Sequence, residues 1–500
     1  MSWLRNELWS AWSVLGAVFI VYLAQRIISA IYALYFDLLS KFPGPRFAAV
    51  SYIPYAFHLV NGTFTTWVKE LHERYDSEVV RLAPHDISFI TPSAWKHICG
   101  GIGQRPFEKD DAVYGKPPNG VDTLLTAPKP DHSRMRRVLD HAFSVRALRQ
   151  QEPTVLTSVD KLIRCFHQQI NGEAKGKVDL TNWYSWMSFD LIGDLAFGES
   201  FNCLDQSGNH PWVQMVFGNL QGIVFLNACS RFPIFASLLP YLIPKGIKKM
   251  MDDHWDSTQA MLSKRIAKGT TRPDFVTPIL ENNSSKGGLT QAEMEANASL
   301  FIIAGSDSIA TSLTGLAWYL LQEPELMQKV RDEVDGAFHE DGEITIQGVD
   351  GLLYLCAVVQ ELFRIYPVAL AGQAHIVPPE GATIAGYPIP GNTGVSMNQF
   401  AVYRSPNNFT DPDDFAPSRW LGDPHFAADR QDAFHPFSLG ARNCIGKNLG
   451  LGTTRLVLAK MVWHFDMELG EETDKNWLDQ KSFIVWQKKP LFVKLTSRQR

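Results

Sequence analysis

The longest stretch of apolar positions lies near the N-terminus. Residues 8–25 carry no charged side chain, and a second uncharged run, residues 27–36, follows Arg26. A run of this length can cross a bilayer, and the basic residues after it favour a cytosolic position for the rest of the chain. We therefore predict a retained single-pass anchor over residues 1–40. The alternative is an apolar helix of the protein core, although core helices seldom run so far without a charge.

The pattern after the anchor predicts a single, mainly helical domain. Two prolines flank a glycine in "KFPGPR", which blocks a helix and predicts a stiff, proline-rich hinge over residues 41–50. Apolar and polar positions alternate over residues 78–92, as in short strands, and helical spacing then dominates to about residue 365. Residues 378–420 are rich in turn-forming side chains, and "KSFIVWQ" near the end has the pattern of a β-hairpin. The predicted fold class is mainly α with a small β-rich part, forming one catalytic domain over residues 51–500.

The composition narrows the functional classes. Hydrophobic residues make up 45% and charged residues 20% of the 500 residues, as in a globular protein with a large core. The formal net charge of -5 argues against nucleic acid as a partner, because phosphate binding calls for a basic excess. The six cysteines lack the clustered spacing of a zinc site or a disulfide framework. They are typical of reduced thiols in a protein that faces the cytosol.

One cysteine, Cys444, lies in an unusual setting, the segment "HPFSLGARNCIG". A thiol can be a nucleophile, a redox centre, a structural side chain or a metal ligand. The segment resembles no local protease signature, and a structural thiol needs neither arginine nor glycines. As an axial ligand to haem iron, Cys444 would give each neighbour a role. Gly440 would permit a tight turn, and Gly446 would let the next helix approach the porphyrin. Arg442 would pair with a haem propionate, and Phe437 would keep water from the sulfur.

Read as Phe-x-x-Gly-x-Arg-x-Cys-x-Gly, this segment resembles the haem-binding signature of the cytochrome P-450 superfamily, with all five fixed residues present. The resemblance implies a cytochrome P-450 fold and haem b (iron protoporphyrin IX) with the Cys444 thiolate as axial ligand. It extends over nearly the whole chain, from the anchor and hinge to the C-terminal hairpin. Phrases such as "YRSPNNFTDPDDFAPSRW" are most similar to filamentous-fungal members that act in secondary-metabolite biosynthesis.

Two opposite charges, Glu361 and Arg364, lie three residues apart in the apolar segment "VVQELFRIYP". An exposed pair of this kind contributes only about a few tenths of a kcal/mol, whereas a buried pair needs further hydrogen bonds to be tolerated. Arg419 in "FAPSRW" is a candidate third member. These segments resemble the family's Glu-x-x-Arg helix and Pro-x-Arg motif, which implies a scaffold that braces the cysteine loop.

The apolar helical segment "SLFIIAGSDSIATSLTGLAWYLLQ" is interrupted by short polar residues at 305–308. One alternative is a loop between two helices. The segment also resembles the family's long oxygen-groove helix, with Ala304 and Gly305 leaving room above the iron. Asp307 and Ser308 then match the acid–alcohol pair that delivers protons for dioxygen activation, with the carboxylate reaching toward solvent. The family usually has threonine where this chain has Ser308, a less rotamer-restricted alcohol, which bears on how efficiently O2 is used.

Further residues are assigned by the same resemblance. His132 and Arg136 in "DHSRMRRVLDHAF" match a pair of haem-propionate donors, with His132 where the family has tryptophan, and His375 matches a donor to the other propionate. The neighbouring Arg134 and Arg137 are predicted to lie on a solvated basic face, which together with Lys447 would suit an acidic electron-donor protein. The expected walls of the substrate pocket are Leu124, Leu125, Phe301, Ala304, residues 368–370 and Ile484.

The resemblance implies a membrane-bound haem-thiolate monooxygenase that uses O2 and electrons from NADPH. A separate NADPH-cytochrome reductase would deliver them, with cytochrome b5 as a further candidate donor. The substrate would be a lipophilic small molecule, and the expected location is the endoplasmic reticulum membrane with the catalytic domain in the cytosol. Two alternatives remain open: a haem-thiolate isomerase or dehydratase that does not use O2, and a non-catalytic haem-binding membrane protein. Asp307 and Ser308 favour the monooxygenase.

Overall fold

The computed structural model describes residues 2–100, 107–114, 119–208, 210, 220–232, 245–270, 272–283, 287–370 and 374–499. Helices occupy most of this length, so the predicted fold class is confirmed. In chain order they are α1 (Ser2–Tyr35), α2 (Arg46–Val50), α3 (Ile53–Val60), α4 (Phe64–Arg74), α5 (Pro92–Ile98), α6 (Lys129–Phe143), α7 (Val145–Asn171), α8 (Leu180–Phe197), α9 (Cys203–Gln206), α10 (Leu220–Ser230), α11 (Lys245–Ala267), α12 (Val276–Asn282), α13 (Gln291–Gln322), α14 (Pro324–Ala337), α15 (Ile346–Val349), α16 (Leu353–Ile365), α17 (Gln399–Tyr403) and α18 (Lys447–His464).

The strands are short and lie mostly at the two ends of the domain's sequence. They are β1 (Val79–Ala83), β2 (Asp86–Phe89), β3 (Glu108–Lys109), β4 (Lys177–Asp179), β5 (His375–Ile376), β6 (Ala382–Ile384), β7 (Tyr387–Ile389), β8 (Gly394–Ser396), β9 (Phe465–Leu469), β10 (Ser482–Phe483), β11 (Val485–Trp486) and β12 (Phe492–Ser497). The largest sheet has the order β1-β2-β8-β5-β3, in which β2 and β8 run parallel. The strands predicted in residues 78–92 and the predicted C-terminal hairpin, β10–β11, are both confirmed.

The N-terminal helix α1 is a candidate membrane anchor. It runs without a break through Arg26, so the two apolar runs form one helix. Its segment Trp12–Tyr35 has a mean hydropathy of 2.0 and is 0% buried, which is typical of a membrane span. Arg81 of β1 holds the end of this helix, donating to the Ala33 carbonyl at 2.8 Å and to Asp37 Oδ2 at 3.0 Å. α13 is long and apolar enough to pass the same test, but 72% of its apolar window is buried, as in a core helix.

α13 is the central helix of the core and packs along α8. A capping box starts it: Thr290 Oγ1 accepts from the Glu293 amide at 3.2 Å, and Glu293 Oε2 accepts from the Thr290 amide at 2.8 Å. The helix continues through residues 305–308, so the alternative of a loop is wrong. The hydroxyls of Ser308 and Ser312 donate to carbonyl groups three and four residues earlier in the helix, at 3.3 Å and 2.8 Å. These bonds satisfy two of the short polar side chains within the helix.

A network of buried charges joins α16 to the chain that precedes the cysteine loop. Arg364 Nη2 lies 2.7 Å from Glu361 Oε1, and both side chains are 0% exposed. Arg419, equally buried, lies 3.5 Å from the same oxygen and pairs with Asp429. Trp420 Nε1 donates to the second Glu361 oxygen at 2.9 Å. The structure thus places Glu361, Arg364 and Arg419 together, with the additional hydrogen bonds that a buried ion network requires.

Arg364 connects this network to the cysteine loop. Its Nη1 donates to the Tyr403 carbonyl at 3.0 Å and to the Pro412 carbonyl at 2.6 Å, and its Nη2 donates to the Asp414 carbonyl at 2.7 Å. The Tyr403 hydroxyl in turn accepts the amide of His435 at 3.0 Å, where the cysteine loop begins. The buried charges therefore brace the loop through α17.

Removal of Arg419 should destabilise the whole domain. In Arg419→Met, Asp429 and Glu361 each lose a cationic partner in a site without solvent, which costs about 3–5 kcal/mol of unfolding free energy. Urea unfolding of the purified protein measures this loss. Lys177→Met breaks an exposed pair with Glu472 and is the matched control, for which we expect no measurable change. Equal stability of Arg419→Met and the parent protein would contradict the bracing role.

Candidate active site

The cysteine loop is shaped by a turn that favours glycine. Gly440 has a φ of +76°, and a Cβ at this position would lie 2.2 Å from the Cys99 carbonyl oxygen. The Cys444 amide donates to the Phe437 carbonyl at 2.8 Å, which closes the loop. Gly446 precedes α18, and a Cβ built on it would meet nothing within 4 Å. The loop therefore has open space beside Gly446.

The Cys444 side chain lies in a recess of the protein surface. It is exposed, although the surrounding protein buries it enough to raise the pKa of the thiol. The Gly446 backbone and the positive charges of Arg136 and Lys447 act in the opposite direction on this pKa. A thiol with a raised pKa is a poor nucleophile, whereas a metal ion at the sulfur would stabilise the thiolate. This environment disfavours a free nucleophilic thiol, and it is compatible with both a structural thiol and a metal ligand.

A polar cavity beside the loop brings together three of the predicted cofactor-binding residues, His132, His375 and Arg442. Its walls are Ile98, Cys99, Phe107, Glu108, Lys129, His132, Ser133, His375, Ala441 and Arg442. These residues come from α5, β3, β5, α6 and the cysteine loop, so the cavity forms only where the sheet meets the helices. The walls hold two permanent positive charges, on Lys129 and Arg442, against the single carboxylate of Glu108.

The electrostatics of this cavity fit a ligand that carries carboxylates, as haem does. Burial, followed by the charge of Arg442, lowers the pKa of His132 to about 4. Burial also lowers the pKa of the neighbouring Lys109 to about 8, with Arg442 acting in the same direction. Arg442 Nη2 donates to Glu108 Oε2 at 2.9 Å, while its buried Nη1 has no hydrogen-bond partner among the described residues. A haem propionate would balance these charges and accept the orphaned N–H.

Arg136, also predicted to meet a propionate, contacts the cysteine loop itself. Its Nη1 donates to the Asn443 carbonyl at 2.7 Å, and its Nη2 donates to Asn443 Oδ1 at 3.1 Å. Its Nε donates to Asp140 Oδ1 at 2.6 Å. In this structure Arg136 therefore clamps the residue directly before Cys444. Its contact with a propionate stays a prediction.

The middle of α13 presents one small side chain to open space. Ala304 is exposed within a helix that is otherwise mostly buried, and α13 packs against α18, the helix that follows the cysteine loop. Gly305 faces α8 instead, because a Cβ there would lie 3.0 Å from Ile192 Cδ1. The expectation that Gly305 leaves room above the iron is therefore corrected: it allows α8 and α13 to pack closely. Phe301, expected in the pocket wall, packs in an apolar cluster with its ring 5.1 Å from that of Phe143.

The predicted acid–alcohol pair is arranged differently from the expectation. Asp307 is only 6% exposed and pairs with Lys488 at 2.5 Å, so the prediction that its carboxylate reaches toward solvent is wrong. The reason is tertiary: the C-terminal chain after β11 covers this side of α13. The Ser308 hydroxyl donates to the Gly305 carbonyl at 3.3 Å. The two side chains are adjacent in sequence and engage different partners.

The predicted basic face of α6 is smaller than expected. Arg134 Nη2 lies 2.5 Å from Glu293 Oε1, and its Nη1 donates to the Gly288 carbonyl at 2.8 Å. Arg134 therefore ties α6 to the start of α13, and the prediction that it lies on a solvated docking face is wrong. Arg137 and Lys447 are exposed and remain candidates for that surface.

Three residues of this region were not predicted from the sequence: Lys109, Asn443 and Lys488. Lys109 and Lys488 carry charges beside apolar segments, which is a weak signal because most such lysines are solvated. Asn443 has no signal in its type or spacing. Each acquires its position through a contact with a segment far away in the chain.

Comparison with known proteins identifies the family. The family model described as Cytochrome P450 matches residues 44–495. The cytochrome P450 monooxygenase astA of Talaromyces wortmannii is 41% identical over 474 residues, which cover 95% of each chain. Averantin hydroxylase of Dothistroma septosporum is 38% identical over 480 residues, which cover 95% of this chain and 90% of its own.

The fold comparison agrees with these relatives. The crystal structure of the cytochrome P450DA haem domain matches with a TM-score of 0.75 at 19% identity, covering 89% of this chain and 95% of that chain. The predicted cytochrome P-450 fold and the resemblance to fungal members of secondary metabolism are confirmed. The chain therefore belongs to the cytochrome P450 family and is a monooxygenase.

Proposed function

We propose that this monooxygenase is anchored in a membrane, takes electrons from NADPH through a separate reductase, and oxidises a lipophilic small molecule of fungal secondary metabolism. The observation that carries this function is the setting of Cys444. Its thiol is accessible although protein surrounds it, and it lies two residues from Arg442, which lines a cavity with more basic than acidic side chains. A thiolate-ligated haem with two propionates has the chemistry that both features call for.

When bound, the haem supplies the iron that activates O2 and transfers oxygen to the substrate. The chain's contribution is to hold and orient it. Cys444 would ligate the iron, with Phe437 packed beside the sulfur and Gly446 allowing close approach. The residues proposed to hold the propionates are His132, Arg136, His375 and Arg442.

Asp307 and Ser308 are proposed to move protons toward the O2-binding side, which Ala304 borders. The Ser308 hydroxyl can turn toward that space because its present bond, to the Gly305 carbonyl, is long at 3.3 Å. The Asp307 carboxylate would take up protons from water and pass them on. Both roles require that these side chains leave the partners they have in this structure.

The substrate pocket is proposed to lie between α13 and the segments that approach it from three other parts of the chain. The residues proposed to line it are Leu124, Leu125, Val368, Leu370 and Ile484. Leu125 and Ile484 are exposed, at 37% and 43%, which suits side chains that meet a ligand. Averantin, named for one relative, is the first compound to test, by titration into the ferric protein and observation of a spectral shift.

The proposed membrane location depends on α1, and the proposed electron donor would bind exposed basic residues. α1 would anchor the enzyme in the endoplasmic reticulum membrane with the catalytic domain in the cytosol, where a membrane-bound NADPH-cytochrome reductase can reach it. Cytochrome b5 is a second candidate donor. Arg137 and Lys447 are exposed and would meet an acidic surface of such a partner.

Replacement of Cys444 tests the central assignment. Cys444→Ser should lose the reduced, CO-bound absorption spectrum that marks thiolate ligation, and NADPH-dependent product formation should fall to background. Cys356→Ser changes a half-buried thiol away from the cavity and is the matched control, expected to keep the parent spectrum. A Cys444→Ser protein with full activity would show that the assignment is wrong.

An assay without NADPH and reductase distinguishes the proposed monooxygenase from an isomerase or dehydratase of the same fold. We expect product from an identified substrate only when NADPH, reductase and O2 are all present. Product that forms at the same rate from substrate and purified enzyme alone would decide for the isomerase.

Substitution of Ser308 tests the proton path. Ser308→Ala removes the hydroxyl, so product formed per NADPH should fall and hydrogen peroxide release should rise. Ser308→Thr keeps the hydroxyl and restricts its rotamers, so it should match or exceed the parent protein. Measurement of NADPH, product and peroxide in the same reaction checks both variants. An unchanged ratio in Ser308→Ala would remove Ser308 from the path.

A further inference from the structure

The proposed proton donor Asp307 is held by two neighbours. Its Oδ1 lies 2.5 Å from Lys488 Nζ, and its Oδ2 accepts from Thr311 Oγ1 at 3.3 Å. Lys488 Nζ also donates to Thr311 Oγ1 at 3.0 Å, so the three side chains form a closed triangle. The side chains of Lys488 and Asp307 are only 8% and 7% exposed. Both carboxylate oxygens are thus engaged on the side of α13 that faces the C-terminal chain.

Lys488 lies two residues after the end of the hairpin β10–β11. The hairpin turns at Ile484, which has a φ of +74° and is 43% exposed. A β-branched residue in the left-handed region is strained, and such strain persists only where the surroundings hold it. The Gln487 amide donates to the Lys481 carbonyl at 2.8 Å and closes the base of the hairpin. The Ile484 turn and Lys488 are therefore four residues apart and joined through this closed hairpin.

The hairpin also touches the segment after α16, part of which is proposed to line the substrate pocket. The Trp486 ring stacks on Tyr366 with a centroid distance of 4.9 Å and an interplanar angle of 6°. Its Nε1 donates to the Pro367 carbonyl at 3.0 Å. Ile484 and Val368 therefore lie on two segments that Trp486 connects.

We propose that Lys488 is a positioning residue that withholds Asp307 from the proton path until substrate displaces the hairpin turn at Ile484. This inference rests on the proposed function, in which Asp307 supplies protons. In the resting arrangement the carboxylate is turned toward Lys488 and Thr311. After release it takes a proton from water and passes it toward Ser308, while the Lys488 ammonium keeps its own protons. Substrate occupancy is thereby coupled to proton supply, and reducing equivalents are conserved when the pocket holds no substrate.

The test compares two variants that break the same ion pair from opposite sides. The haem-loaded enzyme, with reductase and without any organic substrate, is assayed for its rate of NADPH oxidation. Lys488→Met frees Asp307, and if the released arrangement is populated to no more than about 10% in the parent protein, the rate should rise at least about tenfold. Asp307→Asn removes the acid itself, so the rate should fall below that of the parent. A merely structural ion pair would change both rates in the same direction.

Hydrogen exchange provides a readout that is independent of turnover. Because both variants remove the ion pair between Lys488 and Asp307, amide exchange in residues 482–487 should become faster in both. Lys489→Met is the matched control: the neighbouring lysine donates to Asp474 Oδ2 at 2.7 Å on the outer side, so its loss should leave NADPH oxidation at the parent rate. Lys488→Arg keeps the positive charge beside Asp307, so its rate of NADPH oxidation without substrate should stay as low as that of the parent protein.

Several outcomes would overturn this inference. Rates that move in the same direction in Lys488→Met and Asp307→Asn, or a parent-like rate in Lys488→Met, would remove the withholding role and leave the proposed function standing. If Lys488→Met is purified without haem, Thr311→Val replaces it, since it keeps both charges and removes the hydroxyl that braces them. We expect a smaller rise for Thr311→Val, and no rise would overturn the inference. A parent protein without the spectrum of thiolate ligation would overturn the proposed function itself, and this inference with it.

Discussion

Glu361 has no contact with solvent, so its charge must be balanced by protein groups alone. Arg364 balances it from the same helix, and Arg419 does so from the chain that precedes the cysteine loop. Because each of these side chains is itself fully buried, none can move without leaving an uncompensated charge. The position of the cysteine loop follows from this constraint, since Arg364 also holds Tyr403, whose hydroxyl holds the amide of His435.

The two sides of the loop differ in how their charges are satisfied. Behind the loop, every charge of the buried network has a partner. In front of it, Arg442 keeps a buried N–H that no described residue accepts, and His132 and Lys109 have lowered pKa values because burial and neighbouring cations oppose their charged forms. Native proteins rarely leave such groups unless a ligand completes them. The buried network therefore has the satisfied charges of a scaffold, and the cavity in front of the loop has the unsatisfied groups of a binding site.

α13 combines requirements that usually conflict. It must be apolar enough to pack along α8 in the core, yet it carries Asp307 at a position with almost no solvent. The carboxylate is tolerated because Lys488 and Thr311 surround it, and Lys488 belongs to a segment 181 residues away in the chain. The acid therefore depends on the C-terminal hairpin both for its burial and for its orientation.

Local patterns in the sequence are sufficient to predict the apolar N-terminal helix, the first two strands, the C-terminal hairpin and the cysteine loop. Each of these depends on side chains within a few residues of one another, as the glycine turn at Gly440 and the thiol at Cys444 illustrate. The partners of Asp307, Arg134 and Gly305 could not be predicted in this way. Lys488, Glu293 and Ile192 reach them only because helices and strands far apart in the chain pack together. The sequence by itself determined the family and singled out Cys444 as the proposed iron ligand, because local motifs carry both. Only the tertiary structure decided which charges are buried, balanced or left free, because those depend on which distant segments exclude water from one another.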